Sequence, residues 1–384
     1  MRRGGVIVTG GGTAGHVLPA LAVARALVAG GRHQAEITYV GAARGMEARL
    51  VPESGFSLVV LPGQGIERRV SRKSASAAAM LVLGCAQGLA LVARRRPEVV
   101  VSVGGYAALP CALAAAVLRV PLVVVNVDAV PGAANRLTGR FATACAIALP
   151  GTPLPRAVLT GAPVRPEVLA VDRTPEGRAA ARTLLGLPEG RLVVAVTGGS
   201  LGARRLNLAA LGLARAWAKR SDVVVVHVAG ERDVDWVRVQ ARDLKGDDGG
   251  AGLDYRLVGY EDRLPVLFSA ADVVVARAGA STIAELTVIG TPSVLVPLPG
   301  APGNHQRLNA ERLAGVGAAL IVEDAAATPE ELATALDALL ADEERRRSMG
   351  EAARRIGRPD AAERVASLVE EAARSARRRA GRDR

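Results

Sequence analysis

Val6-Ile7-Val8-Thr9-Gly10-Gly11-Gly12-Thr13-Ala14-Gly15-His16 passes from a β-branched run into a glycine turn, and then into the apolar Val17-Leu18-Pro19-Ala20. A short apolar run bounded by glycine reads as a buried parallel strand, and the turn lets a helix start directly behind it. The design recurs in Thr197-Gly198-Gly199-Ser200-Leu201-Gly202-Ala203-Arg204 and in Arg277-Ala278-Gly279-Ala280-Ser281-Thr282. Working outward, further runs predict strands at Gly5–Thr9, Ile37–Val40, Leu58–Leu61, Val99–Val103, Leu122–Asn126 and Ala144–Ala148. A second set is expected at Leu192–Thr197, Val223–Ala229, Arg256–Val258, Val273–Ala276, Ser293–Val296 and Ala319–Ile321. Helical stretches between them imply right-handed βαβ units, hence an α/β protein with two doubly wound domains.

The expected boundaries are 1–163, 164–358 and a C-terminal segment 359–384 that packs back on the first domain. The predicted linker is Gly151–Arg165, where three Pro and two Gly break the pattern. Asp360-Ala361-Ala362-Glu363 reads as a capping box opening a helix to about Arg374. The tail Arg374–Arg384 holds six Arg and one Asp and is expected to fray in solvent, with anionic-lipid contact as the alternative.

The chain has 384 residues, half of them hydrophobic, which excludes a disordered protein. Three Cys, at 85, 111 and 145, form neither a disulfide framework nor a CxxC zinc pair. A reducing compartment follows, and no secretory leader is read at the N-terminus, so the cytoplasm is expected. Aromatics at 2% argue against a stacking platform for single-stranded nucleic acid. The net charge of +12 is uneven: residues 1–165 carry 18 Lys+Arg against 6 Asp+Glu, and the remainder balances. That excess suits nucleic acid, anionic lipid or a phosphorylated substrate, or serves solubility alone. Ser74–Ala93 is uncharged and bilayer-long, but Gly84, Gln87 and Gly88 interrupt it, so a buried or membrane-facing helix is expected rather than a spanning one.

The glycine turns fit an anion, because glycine admits close backbone approach and a helix N-terminus presents unpaired N–H groups. The first turn spells G-x-G-x-x-G, yet a dinucleotide site needs an acid ending strand two. Here that strand ends Tyr39-Val40-Gly41-Ala42-Ala43-Arg44, which leaves only an NADP reading through Arg44. Ser200, Ser281 and Thr282 are expected to cap their helices and donate to phosphate. Glu285, placed in the first helical turn, can accept from a ribose diol or complement the helix dipole. Of four histidines, His16 enters the first helix and suits a general base, or a cap. His227 falls inside an apolar strand and reads as core. His305 begins a polar helix start.

At these residues the chain resembles the MurG family of bacterial glycosyltransferases. Gly11-Gly12-Thr13-Ala14-Gly15-His16-Val17-Leu18-Pro19-Ala20 and Gly104-Gly105-Tyr106-Ala107-Ala108-Leu109-Pro110 resemble two of the family's glycine-rich loops. Gly198–Arg204 with Asn207 resembles a third, and Arg277–Thr282, Glu285, His305-Gln306 and Asn309 its donor site. The resemblance implies a GT-B fold, two Rossmann-like domains facing across a cleft. It implies transfer of N-acetylglucosamine from UDP-N-acetylglucosamine to lipid I, making lipid II for peptidoglycan, at the cytoplasmic face of the membrane.

By the same resemblance the donor contacts Thr13, Ala14, Gly15, Asp128, Arg165, Ser200, Glu261, Ala280, Ser281, Thr282, Ile283, Ala284, Glu285 and Gln306. The acceptor contacts His16, Tyr106 and Asn135, and the catalytic residues are His16 and Asp128. No cofactor, metal or nucleic acid is implied, and no DxD motif is read near the donor loops, so a metal-free, inverting displacement is expected. Anionic inner-leaflet lipid is the expected docking partner. Arg68, Arg69, Arg72 and Lys73 precede the uncharged stretch and Arg94, Arg95 and Arg96 follow it. One segment departs from the family. Val125-Asn126-Val127-Asp128 stands where the family has His-Glu-Gln-Asn. That change keeps open a relative acting on another acceptor, such as a phosphoglycolipid or secondary metabolite. A UDP-sugar 2-epimerase and a nucleotide-sugar-binding partner subunit are the competing classes.

Overall fold

A computed structural model describes residues 4–43, 45–62, 72–199, 202–244 and 252–382. The first sheet contains β1 (Val6–Thr9), β2 (Ile37–Ala42), β3 (Ser57–Leu61), β4 (Val99–Ser102), β5 (Leu122–Asn126), β6 (Ala144–Ile147) and β7 (Ala157–Leu159). The second contains β8 (Leu192–Thr197), β9 (Val223–Val228), β10 (Asp254–Val258), β11 (Val273–Ala276), β12 (Ser293–Leu295) and β13 (Ala319–Ile321). Their orders are β3-β2-β1-β4-β5-β6-β7 and β10-β9-β8-β11-β12-β13. β1 pairs in parallel with β2 and β4, and β8 with β9 and β11. In each sheet the chain steps outward from the first strand, then jumps to its other side. That reversal opens a crevice at the carboxyl ends of the strands.

The valine runs explain the sheets. A parallel sheet covered by helices on both faces buries every residue of its inner strands, so alternation disappears. β9 is buried throughout. Ile7, Val100 and Val124 share one core, and Val194, Val225 and Val275 another. Each fully buried valine contributes about 1.5–3 kcal/mol.

Contacts divide the chain into two units, Met1–Arg165 with Pro359–Arg384, and Pro166–Arg358. All twelve expected strands form. The thirteenth, β7, lies inside the expected linker and pairs with β6. It is three residues long, with Val158 40% exposed, and the flanking prolines mask it. The helix Ala361–Arg382 also runs past Arg374, correcting the frayed tail. Arg377 pairs with Glu98 at 2.6 Å and Glu370 with Arg32, which ties the helix to the first unit. Among the described residues no helix is long and apolar enough to cross a membrane.

Candidate active site

In the first unit the turns after β1 and β2 and the loop after β4 gather around one buried carboxylate. Glu47 opens the helix Glu47–Glu53 and is fully buried. Its Oε2 accepts from the Gly12 amide at 3.0 Å and its Oε1 from the Ala42 amide at 2.9 Å. A Cβ at Gly11 or Gly45 would overlap that carboxylate. Part of the glycine pattern that reads as room for a ligand is therefore room for Glu47. Sequence reasoning missed this residue, since an acid at a helix start looks like a solvated one. The signal available was the cluster Gly41, Gly45 and Gly11, all needed around one side chain.

The Tyr39 hydroxyl donates to the Gly10 carbonyl at 2.6 Å, pinning the same turn. Gly105 adopts φ of 78°, where a Cβ would strike the Gly11 carbonyl, so the β4 loop rests directly on the β1 loop. The Tyr106 ring lies against Gly12. Burial, and then the Glu47 charge, raise the Tyr106 phenol above its ordinary value, which keeps it a donor at neutral pH.

His16 is the third residue of the helix Ala14–Ala29, and its Nδ1 shares a 3.2 Å hydrogen bond with the Thr13 hydroxyl. Pro19 follows inside that helix and has no N–H, so the Gly15 carbonyl lacks its usual partner four residues on. Past β5, Asn126 donates to the Asp128 carbonyl at 2.6 Å. Asn135 donates to the Val125 carbonyl and to Asn126 Oδ1, both at 3.1 Å. Asn126, standing where the resembled family has Glu, thus braces the turn. Asn135 is 5% exposed, packs against Gly104, and keeps a buried Oδ1 without a hydrogen-bond partner. Asp128 is half-buried on the turn that these amides hold.

The second unit presents its turns at the carboxyl edge of β8 to β13. The helix Ala280–Ile289 has Gly279 as N-cap, and no side chain caps it. Its first intrahelical bond runs from the Ile283 amide to the Gly279 carbonyl, so the amides of Ala280, Ser281 and Thr282 point out of the helix end. Ser281 and Thr282 are inside the helix rather than caps, and the Ser281 hydroxyl is buried without a partner. Glu285, 6% exposed, falls in the second turn, because the helix begins earlier than the sequence suggested. The dipole decays within one turn, which removes the dipole reading.

Arg277 donates to the carbonyls of Val296 and Pro297 and pairs with Asp324 at 2.7 Å, fastening the ends of β11 and β12 together. Asn309 donates to the Ala278 carbonyl at 3.0 Å. Gln306 accepts from the Leu298 amide at 3.0 Å, which orients its amide nitrogen away from that loop. His305 Nδ1 bonds the Pro302 carbonyl at 2.8 Å. Glu261 accepts from the amide of Arg263 at 2.9 Å. Asn207 donates to the Ala229 carbonyl at 3.0 Å and accepts from His227, which is fully buried as expected.

Ser200 lies outside the described residues, as do Arg44 and the stretch holding Arg68 and Arg69. Arg165 is half-buried at the end of the first unit's main segment. One sequence statement needs correction. Asp233-Val234-Asp235 has the DxD spelling and stands at this edge, with Asp233 beside Gly202. Both carboxylates are engaged separately: Asp233 by Arg232 and Asn207, and the exposed Asp235 by Arg238.

Two doubly wound units, each with glycine turns at the carboxyl ends of its strands, have the architecture of the GT-B class. The chain belongs to glycosyltransferase family 28: the family's N-terminal domain matches residues 6–147 and its C-terminal domain residues 193–365. A relative from Desulforudis audaxviator is 37% identical over 376 residues, 96% of this chain and 98% of that one. It is named UDP-N-acetylglucosamine--N-acetylmuramyl-(pentapeptide) pyrophosphoryl-undecaprenol N-acetylglucosamine transferase. A relative of the same name from Moorella thermoacetica is 39% identical over 369 residues, covering 95% and 98%. The crystal structure of Acinetobacter baumannii MurG superposes with a TM-score of 0.73 at 26% identity, covering 96% of this chain and all of that one. The resemblance to the MurG family, read from the motifs, is borne out.

Proposed function

We propose that the chain moves N-acetylglucosamine from UDP-N-acetylglucosamine to the lipid-linked N-acetylmuramyl-pentapeptide acceptor, the reaction named for its relatives. The observation that carries this reading is near full-length identity of 37–39% to enzymes so named. The site residues supply a chemistry for it. As the glycosidic bond breaks, negative charge grows on the β-phosphate of the leaving UDP. The outward amides of Ala280, Ser281 and Thr282, at the positive end of their helix, stabilise that charge without a metal. Glu285 takes the ribose diol, Gln306 the sugar, and Glu261 stands by the uracil. Arg165 and Ser200 serve the diphosphate.

In the first unit His16 removes the proton of the attacking hydroxyl, and Asp128, Tyr106 and Asn135 orient the acceptor and sugar. Thr13, Ala14 and Gly15 approach the donor. Direct attack inverts the anomeric centre, from an α-linked donor to a β-linked product. The enzyme works peripherally on the cytoplasmic leaflet. On the helix Arg72–Arg95, Val82, Leu83 and Leu89 are exposed, and Arg94, Arg95 and Arg96 follow them. Apolar insertion beside basic side chains suits an anionic surface. The test is transfer of radiolabelled N-acetylglucosamine to synthetic lipid I. Product of lipid II mobility supports the reading, and donor binding without transfer to lipid I overturns it.

A further inference from the structure

The second unit carries a slight acidic excess, 24 Lys+Arg against 26 Asp+Glu, yet concentrates arginine at the edge of its sheet away from the glycine turns. A cavity of about 600 Å³ lies there, bounded by the starts of β8, β11 and β12 at Leu192, Asp272 and Pro292. Seven arginines and three carboxylates line it. Asp272 is already saturated. It pairs with Arg178, pairs with Arg182 at 2.7 Å, and accepts from the Val193 amide at 2.7 Å.

Two further guanidinium groups have carbonyls rather than carboxylates as hydrogen-bond acceptors. Arg173 donates to the carbonyls of Phe268, Ser269 and Ala271, and Arg346 to those of Leu339 and Leu340. Burial, and then the Arg178 charge, lower the Arg173 pKa, so this positive charge is held against an opposing field. The Nε of Arg178 is buried without a hydrogen-bond partner. Arg354 closes the cavity against Gly290.

We infer that this cavity is a second anion site, which takes a small phosphorylated molecule bearing at least two negative charges. The arginines come from the segment before the helix Pro175–Leu184, from that helix, from the β8 entry and from the helix Glu343–Ile356, hence from several directions. A tetrahedral phosphoryl group, with three acceptor oxygens, meets donors so spread better than a planar carboxylate does. The volume matches ordinary small-molecule pockets. Gly290 caps the C-terminus of Ala280–Ile289, so the cavity and the proposed donor-phosphate amides occupy opposite ends of one helix, about 15 Å apart.

The test is calorimetric titration of the full chain with inorganic pyrophosphate, with and without saturating UDP and at matched ionic strength in sodium chloride. The site predicts pyrophosphate binding that survives saturating UDP. Ala179→Glu adds a carboxylate at an exposed helical position of the cavity wall, where it replaces only a methyl group. It should weaken pyrophosphate at least about tenfold, with UDP affinity within about twofold of wild type. Arg347→Ala, at an exposed ion-paired position, should weaken it in the same direction. Binding abolished by UDP, or equal in Ala179→Glu and wild type, overturns the inference. The UDP arm reads the donor site separately, so failure of that reading is distinguishable.

Discussion

Glu47 Oε2 holds the amide of Gly12 at 3.0 Å, across 35 positions of sequence, and so sets the turn from which His16 departs. A fully buried carboxylate with two amide donors is a rigid strut, because both its partners are main chain. The glycines around it are the sequence's adaptation to that strut as much as to any ligand.

Glu47→Gln keeps the shape but turns one oxygen into a donor facing a donor. The unmade bond costs about 1–3 kcal/mol, which predicts a fall in transfer rate of about 10- to 100-fold. UDP affinity, whose uracil, ribose and diphosphate contacts the proposal assigns chiefly to the other unit, should stay within about twofold. Steady-state transfer beside UDP calorimetry separates the two. Equal loss in both would point to general unfolding instead.

His16→Ala should lower turnover by about 10²–10⁴-fold, the usual worth of a positioned base, and leave donor affinity intact. Single-turnover transfer to lipid I is the measurement, and an unchanged rate removes His16 as the base. His16→Asn keeps a side chain able to bond Thr13 and is expected to be as slow as the alanine variant.

His227 makes stability depend on pH. Its Nδ1 bonds the Tyr255 hydroxyl at 2.7 Å, its Nε2 bonds Asn207 Oδ1 at 3.0 Å, and burial pulls its pKa down to about 4 from 6.5. The unfolded chain therefore takes a proton between pH 6.5 and 4 that the folded chain refuses. Stability is full above that window and is lost as pH falls through it, by up to about 3 kcal/mol. Thermal melts at stepped pH should show a steeper acid decline for wild type than for His227→Gln. Parallel declines would assign the acid sensitivity elsewhere.

Val82 and Leu83 are 71% and 47% exposed on the helix Arg72–Arg95. Val82→Asp with Leu83→Glu should reduce co-sedimentation with phosphatidylglycerol vesicles about tenfold, through lost apolar insertion and added repulsion. UDP binding should be unchanged. Retained sedimentation would move the membrane contact to another surface.

The β-branched runs and the three glycine turns were enough to define two parallel, doubly wound sheets, since burial on both faces writes itself into consecutive Val and Ile. The family resemblance likewise pointed to His16, Tyr106 and Asn135 and to the segment Ala280–Glu285, and all of them stand just past the carboxyl ends of strands. Tertiary structure alone decided the rest. Strand β7 became a strand by finding an open edge on β6, and the terminal helix continued past Arg374 where Arg377 meets Glu98. Glu47 became a buried strut only when β2 and the first turn closed over it, and arginines scattered from 173 to 354 met around one cavity. Such effects join residues distant in sequence through charge and space, and no window along the chain contains both partners.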